Sequence, residues 1–119
     1  MTQDIQRYHS NARMSKIVQY GGLVFLCGQT ASGSAPTPIE DQTREVLRRI
    51  DTLLAEAGSD RSRLLSATIY LKHMEDFAAM NATWEAWMPS GAAPARTTVQ
   101  ANLASPDLLI EITVVAASA

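Results

Sequence analysis

The sequence predicts an α+β fold in which two helices cover one face of a mixed sheet. Two segments carry apolar residues at helical spacing, and six shorter segments have the composition of strands. Their order along the chain is β-β-β-α-β-α-β-β. The 119 residues contain no repeat and no long linker, so we expect a single domain over residues 1–119 with one core.

The first three strands are expected around a tight turn. "IQRYH" is a short candidate strand, and residues 16–20 and 23–27 flank Gly21 and Gly22. Glycine adopts the positive φ that two-residue hairpin turns require, so residues 16–20 and 23–27 should form a hairpin.

The first helix should follow the loop "ASGSAPTPIEDQ". We expect Thr37 as its N-cap, Pro38 at the first helical position and Glu40 completing a capping box. Gly58 should provide a left-handed C-terminal cap. The apolar residues of this segment share one helix face: Ile39, Val46, Leu47, Ile50, Leu53 and Leu54.

The second half of the chain continues the alternation of strand and helix. Residues 64–71 predict a strand, 74–88 a helix, and 95–101 and 108–117 two further strands. Trp84 and Trp87 lie at helical spacing in the second helix, which is more typical of core residues than of a cofactor site.

Two charged residues stand in these last strands, and their positions need a reason. In the final strand Ile110 and Ile112 alternate with Glu111, so Glu111 should point away from the helices. In the strand before it, Arg96, Thr98 and Gln100 share a face. We expect both strands to contribute polar groups to the uncovered face, which predicts an oligomer interface with pockets.

Composition limits the classes of partner. The net charge of −2 and the pI near 5.6 argue against nucleic acid and anionic membrane as partners, because both attract clustered Lys and Arg. A small molecule is the better expectation. Cys27 is the single cysteine and the N-terminus has no apolar signal core, which favours a reducing cytoplasm. His9 and His73 lack companions at a ligand spacing, so we predict no metal site.

Three segments resemble one known family. "GLVFLCGQTA", "DFAAMNATWEAW" and "PARTTVQANLASPDLLIEI" are similar to matching segments of the RidA (YjgF/YER057c/UK114) family, in the same order. The resemblance implies a chorismate-mutase-like fold and a homotrimer around a central barrel, with pockets between subunits. Read alone, "NLASPD" predicts a simple hairpin between the last two strands. The resemblance implies instead that the last strand inserts centrally, away from the strand of Arg96.

The family resemblance also implies a chemistry without cofactor or metal. It is the hydrolysis of reactive 2-enamino and 2-imino acids, such as 2-iminobutanoate and 2-iminopropanoate, to 2-keto acids and ammonia. Arg96 would bind the substrate carboxylate with its planar fork, and Glu111 would position a water and move its proton. The backbone around Cys27 and Gly28 would hold the substrate, and Asn81 falls on a pocket-lining Asn.

The sequence departs from the best-studied branch of that family. Met14 stands in place of a pocket Tyr, Cys27 in place of a Ser, and Thr98 in place of a Cys two residues after Arg96. We count Met14 and Thr98 among the pocket residues, and the departures leave the substrate range open.

Alternatives stay open for both the residues and the protein. Arg96 and Glu111 are also explained as partners in structure, and Asn81 as a residue that only caps or solvates its helix. For the whole protein, the alternatives are a noncatalytic trimer that binds small carboxylates and, less favoured, an endoribonuclease.

Overall fold

The strands and helices follow the predicted order. A computed structural model describes residues 4–34 and 36–119; Ala35, within the loop predicted before the first helix, and residues 1–3 lie outside the described residues. The elements are β1 (Gln6–Ser10), β2 (Ser15–Tyr20), β3 (Leu23–Leu26), α1 (Ile39–Glu56), β4 (Leu64–Leu71), α2 (Phe77–Trp87), β5 (Ala95–Gln100) and β6 (Ile110–Ala117).

The predicted hairpin between β2 and β3 is confirmed. The two strands pair antiparallel from Tyr20 and Leu23 outward, and φ is 58° at Gly21 and 80° at Gly22. These left-handed values suit glycine, because a Cβ would crowd the backbone there.

All six strands form one mixed sheet in the order β1-β2-β3-β6-β4-β5. Among the described strands only β4 and β5 pair in parallel, and β6 lies between β3 and β4, antiparallel to both. The central position implied by the family resemblance is therefore the observed one, and a simple β5–β6 hairpin is wrong. Because α2 connects β4 to β5, this parallel pair has the crossover that parallel strands need.

The apolar face of α1 is buried as predicted, including Val46, Ile50 and Leu54, which have no exposed surface. The start of the helix differs from the prediction. Pro38 is the N-cap and has no side-chain cap bond, while Gln42 Nε2 donates to the carbonyl of Thr37 at 3.2 Å. The capping box through Thr37 and Glu40 is wrong, because the N-cap position is one residue later, at Pro38, and proline has no side-chain acceptor for the first N–H groups of the helix.

Both helices pack on the same face of the sheet. Gly58 ends α1 with a φ of 74°, as predicted, and α2 follows a short 3₁₀ turn at Met74–Asp76. Met80 and Trp84 of α2 join α1 and the sheet in one apolar core. The core side of β6 is as expected: Ile110, Ile112, Val114 and Ala116 are buried.

The opposite face, which we call the uncovered face, is half exposed. In β6 it carries Glu111, Thr113 and Val115, all partly accessible. Neighbouring strands add large apolar side chains to it, with Phe25 and Val99 each 40% exposed. The face therefore mixes apolar and polar groups, as the alternation in β6 predicts.

Candidate functional site

Glu111 and Gly28 lie against each other on the uncovered face. Gln29 and Ile112 exchange backbone hydrogen bonds of 2.9 and 3.0 Å, which tie the segment after β3 to β6 beside Glu111. A Cβ built on Gly28 would stand 2.9 Å from Cδ of Glu111 and closer still to Oε2. No other residue fits at position 28 without moving the carboxylate, so the structure brings together two of the predicted site residues.

Cys27 belongs to the same group. The side-chain amide of Gln29 donates to the carbonyl of Cys27 at 3.2 Å and contacts its Sγ at 3.3 Å. Burial raises the pKa of the Cys27 thiol; Lys16 and the Gln29 contact oppose this increase, and the charge of Glu111 adds to it. The thiol is therefore protonated near pH 7, which does not suit a nucleophile.

A hollow of about 290 Å³ opens beside Glu111. Its lining combines hydroxyl, amide and carboxylate groups with short aliphatic side chains, and consists of Tyr70, Ala101, Asn102, Leu103, Ala104, Glu111 and Thr113. A hollow with a carboxylate and several hydrogen-bonding groups can hold a small polar molecule or a water next to Glu111. We call Glu111, Gly28, Cys27 and this hollow the Glu111 group.

Arg96 lies in a second group, against α2. Its Nη2 donates to Oδ1 of Asn81 at 2.8 Å, and its guanidinium carbon is 5.5 Å from the ring centroid of Trp84 and 6.0 Å from that of Phe77. Stacking on aromatic rings and a bond to an amide oxygen fix the plane of the guanidinium. A guanidinium has five N–H donors, so donors beyond the Asn81 bond can bind a carboxylate.

The face of β5 that carries Arg96 is not the one we expected. Arg96 pairs with Ala67 and Thr98 with Ile69, and both partners are buried beneath the helices. Arg96, Thr98 and Gln100 do share a face, but it is the helix face. The prediction that they point to the uncovered face is wrong, because β5 joins the sheet beside β4, in parallel, and takes its register from β4.

Thr98 lies beside Arg96 in the second group. Within residues 4–34 and 36–119 its Oγ1 is buried and has no hydrogen-bond partner. A buried hydroxyl without a partner is costly and has to be explained. It is available to a ligand or to a second chain at the edge of the sheet. We call Arg96, Asn81, Thr98 and the two aromatic rings the Arg96 group.

Three comparisons place this chain among known proteins. The sequence model described as Endoribonuclease L-PSP matches residues 4–118. The chain belongs to this family, also named YjgF, RutC or Rid. The RutC family protein YoaB of Escherichia coli K12 is 41% identical over 113 residues, which are 95% of this chain and 97% of YoaB.

Other family members agree in sequence and in fold. A RutC family protein of Haemophilus influenzae is 38% identical over 112 residues, covering 94% of this chain and 97% of its own. A crystal structure of a YjgF family protein from Neisseria meningitidis has a TM-score of 0.93 at 41% identity. It covers 98% of this chain, and 96% of that chain is matched. The family resemblance seen in the sequence is confirmed.

Within one chain the Glu111 group and the Arg96 group are far apart. Glu111 pairs with Tyr70 and Arg96 with Ala67, so they are two strands and three residues apart in the sheet, on opposite faces. At roughly 4.8 Å per strand and 3.3 Å per residue, their Cα atoms are about 14 Å apart. One chain therefore does not bring Arg96 and Glu111 to a single pocket.

Met14 lies at the β1–β2 turn and is 39% exposed. Its backbone N–H donates to Oδ1 of Asn11 at 3.0 Å, and its sulfur lies 3.8 Å from Nδ2 of Asn11. The backbone carbonyl of Lys16, two residues on, accepts from the N–H of Cys27 at 3.0 Å. Met14 thus lies near the end of β2 that adjoins the Glu111 group, far across the sheet from Arg96.

Sequence reasoning missed several members of these groups, among them three polar residues of the hollow and one aromatic ring. Tyr70, Asn102 and Thr113 line the Glu111 hollow, and Phe77 stacks on Arg96. Tyr70 and Thr113 are found only once the strand register is known, whereas the helical spacing of Trp84 was visible but indicated only core packing. Trp84 is indeed buried, and it is also a wall for Arg96.

A larger hollow, about 590 Å³, lies between α1 and α2 and contains none of the predicted site residues. The three arginines that line it are paired within the chain: Arg61 with Asp51, Arg44 with Asp41, and Arg48 with Glu45. In the part of the chain described here, no three His, Cys, Asp or Glu residues cluster as metal ligands. No described helix is long and apolar enough to span a membrane.

Proposed function

We propose that this protein hydrolyses reactive 2-enamino and 2-imino acids to 2-keto acids and ammonia, in pockets formed between copies of the chain. The observation that carries the proposal is the Glu111 carboxylate seated on Gly28 and opening into a hollow with hydrogen-bonding groups. This arrangement suits a carboxylate that positions a water. The stacked guanidinium of Arg96 suits recognition of the acid end of the substrate.

The reaction needs a positioned water, a proton acceptor and a cation that binds the substrate carboxylate. A protonated imine is electrophilic at C2, so a water held by Glu111 attacks that carbon while the carboxylate accepts the proton of the water. The carboxyl then returns that proton to the nitrogen, and the carbon–nitrogen bond breaks with ammonia as the leaving group. The hydroxyl left at C2 loses its proton, so the oxygen of the water becomes the keto oxygen. Arg96 keeps the substrate carboxylate in place throughout.

A homotrimer is part of the proposal. The separation of Arg96 and Glu111 within one chain requires that a second copy supply one of them to each pocket. The uncovered face carries exposed apolar residues, among them Leu23 at 37% and Phe25 at 40%, which are suited to burial against another copy. Light scattering should give a mass of three chains at micromolar concentration, and a stable monomer would overturn this pocket.

The activity is tested by generating an imino acid in place with an amino-acid oxidase. The protein should accelerate the release of keto acid and ammonia over the uncatalysed rate, and Arg96→Ala should abolish the acceleration. If wild type and Arg96→Ala both proceed at the uncatalysed rate, the proposal fails.

A second candidate is a noncatalytic trimer that binds small carboxylates. The Arg96 group favours it, because it offers a carboxylate site without help from Glu111. Tight binding of a 2-keto acid by a protein that turns over none of several imino acids would support this candidate. Ribonuclease activity, named in the family description, is less favoured because the chain has a net charge of −2.

A further inference from the structure

The hollow beside Glu111 contains a phenol with no assigned role. Tyr70 and Glu111 are direct cross-strand partners of β4 and β6, and both line the hollow. Directly opposed side chains on one face of an antiparallel pair have Cβ atoms about 4.5–5.5 Å apart. The Tyr70 and Glu111 side chains therefore start side by side on adjacent strands, and both reach the wall of the hollow.

The hydroxyl of Tyr70 is available to a ligand. Tyr70 is half-buried, and among the described residues its hydroxyl makes no hydrogen bond within the chain. By contrast, Tyr8 donates its hydroxyl to Gln6 at 3.0 Å. A phenol both donates and accepts hydrogen bonds, whereas an ionised carboxylate only accepts, so the pair offers two complementary functions side by side.

We propose that the phenol of Tyr70 donates a hydrogen bond to the oxygen at C2 of a bound 2-keto acid and thereby selects ligands with an oxygen at that carbon. The inference rests on the proposed function, because that function places C2 of the ligand at Glu111. The oxygen concerned is the one that water brings to C2 during hydrolysis. The same bond would orient that oxygen as it forms.

The rest of the hollow suits this role. Thr113 and Asn102 add hydrogen-bonding groups beside Glu111, while Leu103 and two alanines provide a short aliphatic wall. The described residues that line this hollow include no Lys or Arg, so the carboxylate of the ligand has its cation elsewhere, at Arg96. Tyr70 is therefore placed to recognise the reacting carbon rather than the acid group.

The experiment compares two ligands on three proteins. Binding of 2-oxobutanoate and of butanoate, which lacks the oxygen at C2, is measured by calorimetry for wild type, Tyr70→Phe and Tyr20→Phe. Tyr20 is the matched control, because it lies on the same face at the far end of β2, where it pairs with Leu23. Mass and melting temperature establish that each variant keeps the wild-type assembly.

Wild type should prefer 2-oxobutanoate. Loss of one neutral hydrogen bond in Tyr70→Phe should weaken binding of 2-oxobutanoate about three- to ten-fold and leave binding of butanoate unchanged. Tyr20→Phe should change neither affinity. Equal losses for the two acids, no loss for either, or no binding of either acid by wild type would overturn the inference.

Failure of this inference is distinguishable from failure of the proposed function. If the protein hydrolyses imino acids but its Tyr70→Phe variant keeps full preference for 2-oxobutanoate, the role of Tyr70 is wrong and the proposed function stands. A protein without turnover that shows the Tyr70-dependent preference keeps the binding role and is a carboxylate binder.

Discussion

Arg96 and Glu111 lie on opposite faces of one sheet, with β4 between their strands. Arg96 lies under α2, where Asn81 and two aromatic rings hold it, and Glu111 faces away from both helices on the surface of Gly28. Neither side chain can reach the other, because the paired backbone of the sheet lies between them. Any pocket that uses both residues has to combine two chains, and this requirement can be tested without a ligand-bound structure.

Mixing two impaired variants should restore activity. Arg96→Ala and Glu111→Gln are unfolded together in equal amounts and refolded, so that the proposed trimers contain both chains. If each pocket takes its Arg from one chain and its Glu from the next, about a quarter of the pockets contain both wild-type residues. Recovery near that fraction is expected in the imine assay.

The control is each variant refolded alone, which should keep only its own low activity. Native mass spectrometry establishes that mixed trimers have formed. Mixed trimers without any recovered activity would mean that both residues of a pocket come from a single chain, contrary to the register of this sheet.

Local patterns in the sequence were sufficient for most of the fold. The apolar face of α1, the Gly21-Gly22 turn and the core side of β6 depend on residues close together in sequence, where periodicity is informative. Pairing between distant strands is not encoded locally. The predicted face of Arg96 was therefore wrong, because it depends on the strand with which β5 pairs. That strand is β4, in parallel, and not β6 in a hairpin.

The candidate site shows the same limit. Arg96, Glu111, Gly28 and Asn81 were proposed from the motifs that resemble the family, and the structure divides them into two groups. Tyr70 was missed because its only distinguishing property is its register with Glu111. The predicted cap of α1 was wrong because the helix begins after Pro38, which cannot cap with its side chain. The buried Gln42 was missed because its bonds, to the carbonyl of Asp107 and the N–H of Leu109, join the first turn of α1 to a loop distant in sequence.

Arg96→Lys should weaken 2-keto acid binding. Lysine keeps the charge but loses the planar fork and the stacking on Trp84, which is 5.5 Å away. Loss of one charged hydrogen bond corresponds to about 1.5–3 kcal/mol, or roughly 10- to 150-fold in Kd, with a similar fall in kcat/KM. Calorimetry with a 2-keto acid measures the first and the imine assay the second. Unchanged binding would remove Arg96 from the site.

Glu111→Gln should separate catalysis from binding. Glutamine preserves the volume and much of the hydrogen bonding of the carboxylate but does not accept a proton at neutral pH. We expect a lower kcat with 2-keto acid affinity within a few fold, as for an interaction used mainly in the transition state. If the variant loses its trimer but keeps full activity per intact pocket, Glu111 is a structural partner.

Glu45 should contribute stability that acid removes. Its carboxylate accepts from Arg48 and Arg49, which holds its pKa at about 2, below the ordinary value of 4.5. Arg49 also donates to the carbonyl of Thr30 at 2.8 Å, so the pair braces the loop after Gly28. A carboxyl whose pKa is lower in the folded than in the unfolded chain stabilises the fold at pH values above the unfolded pKa. This contribution is lost as the pH falls from 4.5 toward 2.

Glu45→Gln should therefore lower the melting temperature by a few degrees at pH 7, with the difference from wild type shrinking below pH 4.5. Asp41→Asn is the matched control, because Asp41 pairs with Arg44 on the same helix and both side chains are largely exposed. It should have a smaller effect, since exposed pairs contribute little. A pH-independent difference for Glu45→Gln would contradict the assignment.

Gly28→Ala should disable the site while leaving the fold intact. The φ at Gly28 is not in the left-handed region, so alanine causes no backbone strain there, and the three atoms nearest to its Cβ all belong to the Glu111 side chain. Because a flexible carboxylate can turn aside, the melting temperature should change little. The displaced Glu111 no longer holds its water, so kcat should fall nearly as far as in Glu111→Gln.

In a Glu111→Gln background, adding Gly28→Ala should cost little more activity, since two changes that act through one group are not additive. Full additivity of the two losses would show that Gly28 acts on the substrate directly, through close approach of its backbone, and not by seating Glu111.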